Sequence, residues 1–277
     1  MFESQIAALL AQTWTSRLLV FAYHRIVPKP DPMLHGEVTA AAFDSQTSWL
    51  ARHATVLTLP DAIERWRRGN LPRRAACITF DDGYLSNFET ALPILQRWRV
   101  PATFFIATGF LDGGRMWNDT IIEATRRTSV AAFDLSEYGV GRVAIDAGRP
   151  ALADQLLDAL RRLPYDKRER CVAAIAAQSL VDLPNDLMMT SEQVRQLARL
   201  GMDLGGHTET HPILARLPAD PLLRLFVLAR ESALKELLVD DAEALATLKT
   251  YIGYSTTSMI LGWATGGIIF GMMSDRI

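Results

Sequence analysis

The chain has 277 residues, 49% hydrophobic and 22% charged, an ordinary globular composition sufficient for one large or two modest domains. Its 29 basic and 31 acidic residues leave a formal charge of −2, which argues against a nucleic-acid surface; the doublets Arg67-Arg68 and Arg73-Arg74 flank Gly69 and Pro72 and read as solvated loop ends. Two distant cysteines, Cys77 and Cys171, make neither a disulfide framework nor a cysteine metal cluster. The opening "MFESQIAALLAQTWTSR" carries an early acid and no basic start, so it does not read as a secretory signal.

In chain order, Leu18 to Tyr23 reads as a buried strand that ends at His24. A helix over 43–52 follows, then a strand from Thr55 to Leu59, and a helix over 61–68 closed by Gly69. Ala76 to Phe80 is a further strand, containing Cys77 as a small buried hydrophobe. The next helix is expected to start on a capping box, Ser86 with Glu89, with Phe88, Ala91, Leu92, Leu95 and Trp98 on one face. Pro93 should kink or split it. Ala102 to Ala107 reads as a strand. Strands alternating with helices predict an α/β fold with a parallel sheet and helices packed outside it.

Residues 111–185 break this rhythm and read as a helical insertion, with helices near 117–127, 151–162 and 166–179 between glycine-bearing loops. The start of its first helix, Trp117-Asn118-Asp119, could line a sugar groove, but a cap supplied by Asn118 or Asp119 is the preferred account. The α/β rhythm then resumes. Thr190 and Gln193 fit a second capping box, Val194, Leu197 and Ala198 face inward, and Gly201 closes that helix. "MDLG" is a short strand leading into "GHTETHP".

Two short motifs carry chemistry. "ITFDDGY" ends the 76–80 strand with Asp81 and Asp82, and Gly83 supplies the positive φ of an Asp-Gly turn. His207 and His211 are four apart, a spacing that puts both imidazoles on one side if the segment turns helically. Glu209 lies at the centre of that pair and points elsewhere, so this is not the metalloprotease pattern. In parallel α/β folds, sites gather at the carboxyl ends of strands, where both motifs fall. Two imidazoles and one carboxylate make the three-ligand set of a catalytic metal, leaving the other aspartate as a base. His24 also ends a strand, and hydrogen bonding to backbone is its preferred role. His35 and His53 earn no role.

"TFDDGY" together with "HTETHP" resembles the first two motifs of the NodB-homology polysaccharide deacetylases, carbohydrate esterase family four. The resemblance runs through "FAYHRIVP", "LPILQRWRVPATFFIATGFLDGG" and "LMMTSEQVRQLARLGMDLGGHTETHPILARL", about residues 18–218. It implies a distorted (β/α) barrel, Asp81 as the general base, and Asp82, His207 and His211 as ligands of a divalent metal, typically zinc. It implies removal of N-acetyl groups from amino-sugar polymers or oligosaccharides. An N-acetylated polysaccharide is thus the expected partner, and no nucleic acid.

After about Pro218 the resemblance stops. The family's later motifs, an Arg-bearing segment, a Tyr-Pro segment and a Leu-x-His, do not follow, and no histidine occurs beyond His211 to serve as general acid. The expected architecture is therefore an incomplete barrel over 1–220 with the insertion at 111–185, then an amphipathic helix and linker over 221–250. Tyr251 to Met273 contains no charge or histidine and, as a helix of ~35 Å, would span a membrane core of ~30 Å. Its end, "GWATGGIIFGMMSDRI", resembles a transmembrane helix of the major facilitator transporters. The expected location is membrane-associated through 251–273, or otherwise cytoplasmic. Two alternatives remain: a membrane-tethered sugar-binding protein without catalysis, and a fragment of a fused deacetylase and transporter frame.

Overall fold

Six consecutive apolar or small residues, Ala75–Phe80, form β5, and every one of them is buried. A strand buried on both faces belongs at the centre of a parallel sheet. The computed structural model describes residues 18–145 and 148–213. The helix expected over 221–250 and the apolar stretch over 251–273 lie outside these, as does the first 17-residue segment; no helix among the described residues is long and apolar enough to cross a membrane.

Among the described residues the main sheet has five parallel strands. β1 (Leu19–Tyr23) flanks β5 on one side, with Leu19 opposite Ala76 and Tyr23 opposite Phe80. On the other side β4 (Thr55–Val56) pairs with the start of β5 and β6 (Thr103–Ile106) with its end. β9 (Asp203–Gly206) pairs with β6, Ile106 opposite Gly206, and is the outermost strand among the described residues. The register therefore aligns the carboxyl ends of β1, β5, β6 and β9 along one rim. A separate two-stranded parallel pair, β2 (Ile26–Val27) with β3 (Val38–Thr39), follows directly from β1.

Helices cover the sheet by the expected apolar spacing. α1 (Ala40–His53) is capped by Thr39 and buries Phe43, Thr47 and Leu50, at i, i+4 and i+7. Phe43 meets the rings of Tyr23 and Phe80 edge-on, and Phe80 stacks on Phe104 at 4.8 Å, which locks three adjacent strands and a helix together. The strand expected over 55–59 is shorter, because Thr58 accepts the amide hydrogen of Asp61 and starts α2 (Leu59–Arg67). Gly69, at φ 68°, ends it.

The expected capping box at Ser86 does not form. The Ser86 hydroxyl instead accepts the N–H of Ile26 at 3.2 Å, and residues Asn87–Ala91 wind as a π-helix before α3 (Leu92–Trp98). Pro93 has no N–H to offer the turn before it, and Leu92 bonds back five residues to Asn87. The helical run nevertheless continues through Pro93 without a break, so the expected split does not occur; the ladder shifts to a five-residue spacing instead.

Residues 111–185 build a second apolar cluster around Ile121, Phe133, Leu156 and Ile175. Its helices are α4 (Trp117–Arg127), α5 (Arg149–Arg161) and α6 (Tyr165–Gln178). It is not purely helical. β7 (Ala132–Leu135) and β8 (Gly141–Ala144) form an antiparallel hairpin, turned through Gly139 at φ 74°. α7 (Ser191–Arg199) carries the capping box of Thr190 and Gln193 in full and returns the chain to β9.

Candidate metal centre

The turn after β5 is fixed before its side chains matter. The Asp81 N–H donates to Tyr23 O at 2.8 Å, Gly83 N–H to Asp81 O, and Ala107 N–H to Asp82 O at 3.1 Å. Met189 N–H closes on Gly83 O at 3.0 Å from the segment before α7. Gly83 sits at φ 91°, where an added Cβ would crowd Ile106. Asp82 itself adopts φ 76°, a left-handed conformation uncommon for a non-glycine residue and held here by the surrounding bonds.

The histidine pair is brought together by a loop rather than by a helix. β6 and β9 continue to bond past their ends: His207 N–H donates to Ile106 O, Thr108 N–H to Thr208 O, and Gly109 N–H to Glu209 O. Thr208 and His211 take φ 65° and 45°, and the Thr208 hydroxyl accepts the His211 N–H at 3.0 Å. The two imidazoles then lie 4.9 Å apart, centroid to centroid. Glu209 is exposed and lies outside the cluster.

Asp82 Oδ1 lies 3.4 Å from His207 Nε2 and 3.3 Å from His211 Nε2, and Asp82 is only 3% exposed. These are the three residues among the described ones whose ligand atoms converge as a metal would need. One carboxylate and two imidazoles suit a divalent transition metal. Burial pushes the Asp82 carboxyl up, against the pull of His207 and His24. Burial, aided by His207, His24 and Arg168, pushes the His211 imidazole down to about 3, so it is neutral with a free lone pair. A buried acceptor, Asp82 Oδ1, without a hydrogen-bond donor beside a neutral imidazole fits a cation at that point. Asp81 is half-buried next to this group.

Two further residues reach the rim. His24 follows Tyr23, whose carbonyl holds Asp81, and it interacts electrostatically with both Asp82 and His211. Its place after the first strand made the rim one of two roles open to it in the sequence, with a backbone hydrogen bond preferred. Arg25 is buried, with its Nη2 2.5 Å from Asp119 Oδ1 and its guanidinium 3.9 Å over the Tyr84 ring. Asn118 donates to the Tyr84 hydroxyl at 3.4 Å. Neither Asn118 nor Asp119 caps α4, whose N-cap is Met116 without a side-chain bond. His53 bonds Trp49 O, and His35 lies 3.8 Å from Asp154, both away from the rim cluster.

Residues 68–132, which include both aspartates, match the polysaccharide deacetylase family model. That segment is similar to the polysaccharide deacetylases. Over 73 residues the chain is 41% identical to the poly-beta-1,6-N-acetyl-D-glucosamine N-deacetylase of Staphylococcus aureus, covering 26% of this chain and 25% of that protein. The enzyme of the same name from Staphylococcus epidermidis is 34% identical over 114 residues, 36% of this chain and 39% of that one. The chain thus spans between a quarter and two-fifths of these relatives' length. Among solved structures, the deacetylase PplD of Streptococcus pyogenes aligns with a TM-score of 0.50 at 16% identity, covering 87% of this chain and 82% of that chain. That likeness bears on the fold, which is of the same α/β type. The transporter-like reading of the C-terminal stretch finds no support in these comparisons.

Proposed function

We propose that this chain is a metal-dependent deacetylase that hydrolyses the acetamido groups of N-acetylglucosamine polymers. The observation that carries this is the convergence of Asp82, His207 and His211 at the rim, with Asp81 adjacent. The staphylococcal relatives, named for a β-1,6-linked polymer, make that polymer the substrate to try first.

Asp82, His207 and His211 would hold the metal, zinc being the ion best suited to this donor set. When bound, a zinc ion supplies a Lewis acid that polarises a carbonyl and brings the pKa of water towards roughly 7. Asp81, anchored through its backbone to β1, takes a proton from the water whose oxygen attacks the acetamide carbon. The carbon–nitrogen bond then breaks, and the nitrogen requires a proton to leave as an amine. His24 supplies that proton, since it stands at the end of the neighbouring strand within electrostatic reach of the cluster. Acetate and a free amino sugar are the products.

The test is acetate release from β-1,6-linked N-acetylglucosamine oligomers by the zinc-loaded chain, beside Asp81→Asn. Release that vanishes in the variant supports the reading. Parent protein that binds zinc but releases no acetate overturns it.

A further inference from the structure

The geometry points to Gly109 as a positioning residue for the metal centre, acting through the turn that carries His207 and His211. This rests on the reading of Asp82, His207 and His211 as metal ligands. Gly109 lies in the short 3-10 turn Thr108–Phe110 after β6, outside the ligand set and outside both motifs. Its N–H donates to Glu209 O at 2.9 Å, the last rung of a pairing that begins with His207 N–H on Ile106 O and passes through Thr108 N–H on Thr208 O. Glu209 is the midpoint between the two histidines, so this rung fixes both at two residues' remove.

The approach is too close for any side chain. A Cβ at position 109 would stand 2.7 Å from Glu209 O and 3.3 Å from its carbonyl carbon. Those are backbone atoms, so no rotamer change relieves the clash and the turn must move outward. Two residues of that turn already hold left-handed conformations, Thr208 at φ 65° and His211 at φ 45°. Such conformations persist only where surrounding contacts over-determine them. The Thr208 hydroxyl on the His211 N–H is one such contact, and the rungs from residues 108 and 109 are the others. A turn released from the rungs relaxes His211 away from Asp82, 3.3 Å distant here.

The experiment is zinc affinity by chelator competition, with the ion alone as probe, at a temperature where each variant is folded. Gly109→Ala is expected to weaken zinc binding by about 10- to 100-fold, the range for residues that orient metal ligands. Gly36→Ala, whose added Cβ meets nothing within 4 Å, should bind as the parent does. Thr208→Ala should lose about two- to tenfold, the equivalent of one hydrogen bond. A folded Gly109→Ala protein with parental affinity overturns the inference, and if that variant does not fold, parental affinity in Thr208→Ala does so. A parent chain that binds no zinc removes this inference and the metal-site reading together. Zinc bound without acetate release removes the catalytic reading alone.

Discussion

Arg25 and Asp119 form an ion pair at 2.5 Å with side chains 9% and 1% exposed, joining the residue after His24 to the first turn of α4, 94 positions along the chain. A buried pair of this kind contributes modestly as a pair but costs heavily when one partner is removed. Asp119→Ala leaves the Arg25 guanidinium buried without its counter-charge. The expected loss is about 3–5 kcal/mol in urea unfolding. The double variant Arg25→Met with Asp119→Leu should recover much of it, and a double variant as unstable as the single would count against the pairing as the cause.

The adjacent aspartates should separate cleanly by assay. Asp82→Asn removes a charged ligand, so zinc affinity and acetate release fall together. Asp81→Asn should keep zinc within a fewfold while release drops by about 10²–10⁴, the usual contribution of a general base. Equal zinc loss in both variants would show that the aspartates share the ligand role. Removing zinc from the parent with a chelator should abolish release, and restoring it should recover release.

His24→Gln tests the proposed proton donor. Zinc binding should stay within a fewfold, and release from the polymer should fall by about 10²–10⁴. An activated acetyl ester, whose leaving group needs no proton, should lose far less. Equal loss on both substrates would point to a positional role instead.

Cys77 gives a pH prediction away from the centre. Burial pushes its thiol up to about 12, and that of Cys171 to about 11. The folded chain holds these protons where the unfolded chain, at the ordinary value of 9.0, has released them. Stability from the neutral thiol is therefore present below pH 9 and is lost as pH rises from 9 towards 12. Urea midpoints should fall across that window, and Cys77→Ala should flatten part of the fall. At pH 8 neither thiol should react with a thiol reagent until the chain unfolds.

Thr190→Ala removes the hydroxyl that caps α7 and is expected to cost about 1 kcal/mol in urea unfolding. Ser86→Ala should cost through a different bond, the one from Ile26 N–H. The same two-residue pattern thus has two meanings. Local spacing was enough to recognise the cap at Thr190. At Ser86 it was not, because Pro93 denies the regular ladder an N–H and a distant strand claims the hydroxyl. The central strand was legible from its unbroken apolar run, and the two motifs at its rim from their position after strands. The left-handed backbone at Asp82, Thr208 and His211 was not. Such angles are imposed on non-glycine residues by contacts far off in the chain, and spacing alone suggested a helical turn for the histidines. Asp119 was misjudged as a cap for the same reason, since its partner is Arg25. The hairpin of β7 and β8 was lost among short segments of four residues each, which carry too little alternation to stand out.

The two halves of the candidate metal centre hang from strands of unequal security. β5, which ends at the aspartates, is paired with three other strands and wholly buried. β9, which leads to the histidines, is paired with β6 alone among the described residues. Amide hydrogens of β5 should therefore be among the last to exchange with solvent, and those around His207 among the earlier ones. Partial opening would release the imidazoles while the carboxylates stay in place, so an ion held by the proposed ligands would depart and return without global unfolding.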